Sequence, residues 1–146
     1  MCGYASGTLK ALAHSGANGA QYATNPANLT FPLSWVTDVE PANGGTWQST
    51  SFGASTGVLV GHNGARNAVI KNLHYAILMG LIIADDIDKV PTTLIGEVIS
   101  LTTSSSGNCI GNGNREILYN NAALLQSASV AAGGTGGTMN VLSWLE

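Results

Sequence analysis

The side chains able to do chemistry are few in this chain, and their spacing suits none of the common reactions. His14, His62 and His74 stand far apart, and none has a second His or Cys at metal-ligand spacing. The one carboxylate cluster is Asp85-Asp86-Ile87-Asp88. A hard cation wants six or more oxygens, of which three aspartates supply some. The EF-hand pattern is not met, because the Gly at loop position six and the Glu at position twelve are missing. The segment reads as an acidic turn that ends a buried strand, with a loop calcium site as the alternative. Abundant serines allow Ser-His-Asp sets to be drawn on paper, and none is expected to be a site. Gly111-Asn112-Gly113-Asn114 and Gly133–Gly137 are not followed by Gly-Lys-Ser/Thr, so both read as turns rather than phosphate loops. No catalytic residue, metal site or cofactor is expected.

The aromatics carry the other candidate chemistry. Trp35, Trp47 and Trp144, with Tyr4, Tyr22, Tyr75 and Tyr119, would suit a sugar-binding face. Inside alternating strands the same residues are core.

Composition narrows the classes further. Only 13 of the 146 residues are charged, and Gly, Asn, Ser and Thr together fill 58 positions. An average soluble domain is about 25% charged. A surface of amides and hydroxyls lacks the charge that keeps monomers apart, and suits a protein packed against copies of itself or a partner. A net charge of −3 with five scattered cations argues against nucleic acid. The longest apolar run, Tyr75–Ile83, is too short for a membrane helix, which needs about 20 residues. Neither Cys2 nor Cys109 sits at metal spacing, and whether they pair is open. The N-terminus shows no basic-then-apolar leader, so no cleaved signal is expected. The Asn28-Leu29-Thr30 sequon is read as a chance match.

The elements that must hold these residues read mainly as strands. Residues 1–27 lack a sustained period and form an expected arm, with Leu9, Leu12 and Tyr22 as its anchors. Residues 31–39 alternate with the period of a half-buried strand, and Thr46–Phe52 is a second candidate. Gly53–Gly57 reads as a turn into Val58-Leu59-Val60, and Gly61–Gly64 as another. Ala68–Ala84 fits one long strand better than a helix, although its apolar spacing satisfies both. Thr92–Thr103 is a strand, Ile117–Tyr119 a short one, and Asn121–Ala132 either a small helix or an extended crossing. Thr138–Glu146 is the expected closing strand, apolar on both faces and carrying Trp144. No fixed period repeats, so a solenoid is not expected. The expected fold is all-β, a single sandwich- or barrel-like domain over residues 28–146 with an extended N-terminal arm.

The last third adds a resemblance. Ile95-Gly96-Glu97-Val98-Ile99-Ser100-Leu101, a Gly/Asn loop, Glu116-Ile117-Leu118-Tyr119, an Ala/Leu segment, Gly-Gly-Thr-Gly-Gly-Thr and the strand Met139–Leu145 follow one another. This succession resembles the C-terminal part of capsid decoration (cement) proteins of tailed bacteriophages. The resemblance implies a sandwich-like subunit that trimerises on the outer capsid surface and staples major capsid proteins. The resulting expectation is a non-enzymatic virion protein, a homotrimer that binds the major capsid protein and neither nucleic acid nor membrane. Its contacts would be made by Leu9, Leu12, Tyr22, His74 and Trp144. The alternatives are a carbohydrate- or receptor-binding β module, as in a tail fibre, and a hydrolase with a cryptic site.

Overall fold

The computed structural model describes residues 7–24, 26, 29–37, 54–71, 77–89, 93–102 and 116–131. In chain order the elements are α1 (Thr8–Ser15), a single 3-10 turn, β1 (Gln21–Ala23), β2 (Leu33–Val36), β3 (Ala54–Gly61), β4 (Val69–Lys71), β5 (Ile77–Ala84), β6 (Asp86–Lys89), β7 (Thr93–Ser100), β8 (Ile117–Leu118) and α2 (Asn121–Ala131). Six strands form one sheet in the order β1-β2-β3-β5-β7-β8, and β4 pairs with β6 in a second. Every one of these pairs is parallel.

Parallel neighbours cannot be joined by a tight hairpin and need a crossover. Between β3 and β5 the crossover contains β4, and between β5 and β7 it contains β6. Because the crossovers also pair with each other, the chain winds as a two-sided coil. Ala54 lies beside Ile77 and Ile77 beside Thr93, so the turns have unequal lengths, 23 residues and then 16.

The fold is therefore mixed α/β, a mostly parallel sheet carrying helices. The expected all-β sandwich with an extended arm is wrong, and the reason is physical. Strands of a parallel sheet are covered on both faces and read as continuous apolar runs. In β5 (ILMGLIIA) only Ile77 is exposed, and apolar side chains point both ways. Leu59, Leu78, Ile82 and Leu94 enter one core with Ile70 and Ile87 from β4 and β6. Leu33, Val58, Val60 and Leu81 enter the other, with Ala13 from α1 and Ala131 from α2. Each fully buried aliphatic side chain of this kind contributes about 1.5–3 kcal/mol.

The N-terminal segment is folded into this body. α1 ends on Gly16, whose φ of 65° supplies the left-handed C-cap and whose N–H donates to the Ala13 carbonyl. Leu9, Leu12 and Tyr22 pack half-buried against the second core, and β1 adds to the edge of β2. α2 settles the choice left open for residues 121–132. The Asn120 side chain accepts from the Ala123 N–H, a standard N-cap, and the small residues Ala123, Ser127, Ala128 and Ala131 form the buried face.

Gly57 belongs to a strand, although the sequence reads as a turn there. It lies in register with Gly80, which lies in register with Gly96. A Cβ on Gly80, whose φ is 150°, would overlap the Gly57 carbonyl and approach Ser127 of α2 within 2.8 Å. These glycines serve close backbone approach beneath a close-lying helix. Residues 53–57 also match the spacing Gly-x-Ser-x-Gly. A nucleophile elbow needs a sharp strand-to-helix turn, whereas β3 runs extended from Ala54 through Ser55 and on to Gly61.

Candidate functional site

At one end of the coil successive turns stack corner upon corner. The Asp85 N–H donates to the Gly61 carbonyl, the Leu101 N–H to Ala84 and the His62 N–H to Val36. The register places His62 one coil from Asp85, since Gly61 faces Ala84.

Asp85 is fully buried between β5 and β6. Its Oδ1 lies 2.7 Å from His62 Nδ1, and its Oδ2 accepts from the N–H groups of Asn63 (3.1 Å) and Ala68 (3.2 Å). The Asp85 carbonyl accepts from the N–H (3.0 Å) and the hydroxyl (2.6 Å) of Thr102. One residue thus ties three consecutive corners together. The turn it closes is braced by Asn63, whose amide donates to the Thr37 carbonyl and to Asn67 Oδ1.

His62 is the outer member of the pair, its side chain 36% exposed. A buried carboxylate on Nδ1 orients the imidazole, as the partner of a general base does. Nucleophilic catalysis needs more. No Ser, Thr or Cys side chain among the described residues is bonded to Nε2, and Ser100 directs its hydroxyl to the Asp85 and Thr102 carbonyls. Among the described residues no three His, Cys, Asp or Glu side chains gather to hold a metal. In the calcium alternative for residues 85–88, the Asp85 oxygens are already taken by N–H donors, and the Asp88 side chain lies outside what is described. Asp86 is also buried and accepts from the Ile87 N–H.

A row of rings leads away from His62. Its ring meets Trp35 edge-on at 6.0 Å, and the Trp35 indole N–H donates to the His62 carbonyl (3.1 Å). Tyr22 lies beside Trp35 at 6.5 Å, as their pairing across β1 and β2 requires. His14, from the last turn of α1, stacks on Tyr22 with ring centroids 3.6 Å apart. His14 and His62, isolated in sequence, are thereby joined through Tyr22 and Trp35.

The row ends at an open depression of about 520 Å³ between α1 and β1, whose wall includes His14, Ser15, Gln21, Tyr22 and Thr30. Among the described residues no Lys, Arg, Asp or Glu lines it. Gln21 Oε1 accepts from the Ser34 hydroxyl and the Thr30 N–H, and the Thr30 hydroxyl donates to the Gly19 carbonyl, which fixes the floor.

Of the expected contact residues, Leu9, Leu12 and Tyr22 are placed against this chain's own core, while His74 and Trp144 lie outside the described residues. So do Cys2, Tyr4, Trp47, Tyr75, Cys109, Gly111–Asn114, Gly133–Gly137, the strand expected at 46–52 and the closing strand. Among the described residues no helix is long and apolar enough to cross a membrane. No family model, no curated protein and no solved structure matches the chain, so its role has to be read from its own geometry.

Proposed function

We propose that this protein is a non-enzymatic structural subunit that works by assembling with copies of itself, as a virion component seated between major capsid proteins. The observation that carries the self-assembly is the C-terminal edge of the main sheet, and the virion placement rests on the resemblance of the last third to capsid decoration proteins. β8 covers only Leu94 and Ile95 of the eight-residue β7, and among the described residues no strand pairs with the outer side of Gly96–Ser100. Beside that edge Ile117, Leu118 and Tyr119 are exposed, Tyr119 by 72%. An open strand edge flanked by apolar side chains is a template for another chain. With 13 charges in 146 residues, little repulsion opposes a second copy.

The test is the mass in solution. Light scattering at micromolar concentration is expected to report a homotrimer, about three times 14.9 kDa. Ile117→Lys with Leu118→Lys should shift the mass towards the monomer while circular dichroism stays unchanged. A monodisperse wild-type monomer would refute self-assembly.

A further inference from the structure

We propose that the depression between α1 and β1 is a binding site for a neutral polyhydroxylated ligand, a glycan. The site is separate from the β8 edge and stands whether or not the subunit assembles.

Three features lead there. The first is preorganisation. Tyr22 is held between His14 at 3.6 Å and Trp35 at 6.5 Å, and its backbone is paired to β2. A ligand that meets a ring already fixed loses less ordering entropy on binding. The second is free hydrogen-bonding capacity at a fixed place. Neither the Tyr22 hydroxyl nor the His14 imidazole nitrogens bond to the described residues, whereas the Ser15 and Thr30 hydroxyls are engaged in holding the wall. A phenol and an imidazole each donate and accept, which is what a sugar hydroxyl needs from a partner.

The third is what the wall lacks. Among the described residues no Lys, Arg, Asp or Glu lines the depression to pair with a phosphate, a carboxylate or an ammonium group. Its volume of about 520 Å³ lies in the range of small-molecule sites, and the small residues Gly16, Gly19 and Ala20 leave the entrance open. Rings with apolar faces beside neutral donors and acceptors match the alternating C–H and O–H surface of a pyranose. A nucleobase is the competing planar ligand. It needs a stacking face as a pyranose does, and titration with adenosine separates the two.

The experiment is a titration of the full chain with methyl glycosides of glucose, galactose, mannose and N-acetylglucosamine, their short oligomers, and adenosine as control. Backbone amide shifts are followed by NMR. The expected result is saturable glycan binding with a dissociation constant of about 1 mM, weaker for adenosine, with the shifts gathered at Gly16, Gly19, Tyr22 and Thr30. Tyr22→Phe keeps the stacked ring and removes the hydroxyl, and should weaken binding about 3- to 10-fold. His14→Ala, at an exposed position, should weaken it similarly with circular dichroism unchanged. Absence of saturation by every glycan up to about 50 mM would overturn the proposal. So would shifts gathered elsewhere, tighter binding of adenosine, or wild-type affinity in both variants.

Discussion

Replacing Asp85 with Ala should destabilise the coil more than any other single polar substitution among the described residues. The cost follows from what the carboxylate holds. Two backbone N–H groups, those of Asn63 and Ala68, donate to Oδ2, and the Ala68 backbone is itself buried. Each donor stranded without an acceptor costs about 1–3 kcal/mol. The His62 contact adds less, because that ring is partly exposed and water replaces the lost partner. The expected loss is about 3–5 kcal/mol, against about 5–15 kcal/mol for a typical whole domain. Asp85→Asn keeps the shape and one acceptor oxygen. Its NH2 can donate to His62 Nδ1 in the other tautomer, so it should cost only about 1–3 kcal/mol. Urea unfolding followed by circular dichroism measures both, with hydrogen exchange at the Asn63 and Ala68 amides as a local readout. A loss below about 1 kcal/mol for Asp85→Ala would show that the corners hold without the clamp and would refute the reasoning.

Other substitutions probe the remaining parts of the structure. Gly80→Ala drives a methyl into the Gly57 carbonyl and towards Ser127, so it should cost at least about 2 kcal/mol or abolish folding; a neutral effect in thermal melts would contradict the packing of α2. Trp35→Phe keeps an aromatic ring in the row but loses the indole bond to the His62 carbonyl, for about 1 kcal/mol in denaturant titrations. Deleting residues 1–27 removes α1 and β1 from the second core and should lower the melting temperature sharply; an unchanged melting curve would restore the reading of this segment as an arm. Tyr119→Ser, at a site 72% exposed, should leave subunit stability within about 0.5 kcal/mol and weaken self-association in sedimentation experiments.

The sequence makes some elements legible and hides others for identifiable reasons. β2 and β7 lie inside the strands read from alternation and β-branched residues. α1 is missed because eight residues give little more than two helical turns, yet a signal exists. Leu9, Leu12 and Ala13 stand at helical spacing, and Gly16 follows as a C-cap. β5 is half-legible, because an apolar run fits a doubly buried strand and a buried helix equally well. The coil escapes a search for repeats because its turns differ by seven residues and α1 and α2 share no unit with it.

That unequal pitch also decides how the acidic segment is to be understood. In sequence, Asp85, Asp86 and Asp88 are three carboxylates in four positions, which read as an acidic turn with a cation loop as the alternative. On the coil, Ala84 faces Gly61, so the residue after each strand falls at the same corner, and Asp85 meets His62. A carboxylate at that corner is the shortest side chain that can accept from the ring and from the turn N–H groups on either side. A glutamate would carry one more methylene into a site with no free space, since Asp85 is fully buried. Aspartate is thus required by the corner geometry, and no ligand is needed to account for it. The chemistry left over at this end of the molecule is the partly exposed His62 ring and the row of rings running from it to the depression beside α1, which is where a bound molecule would have something to touch.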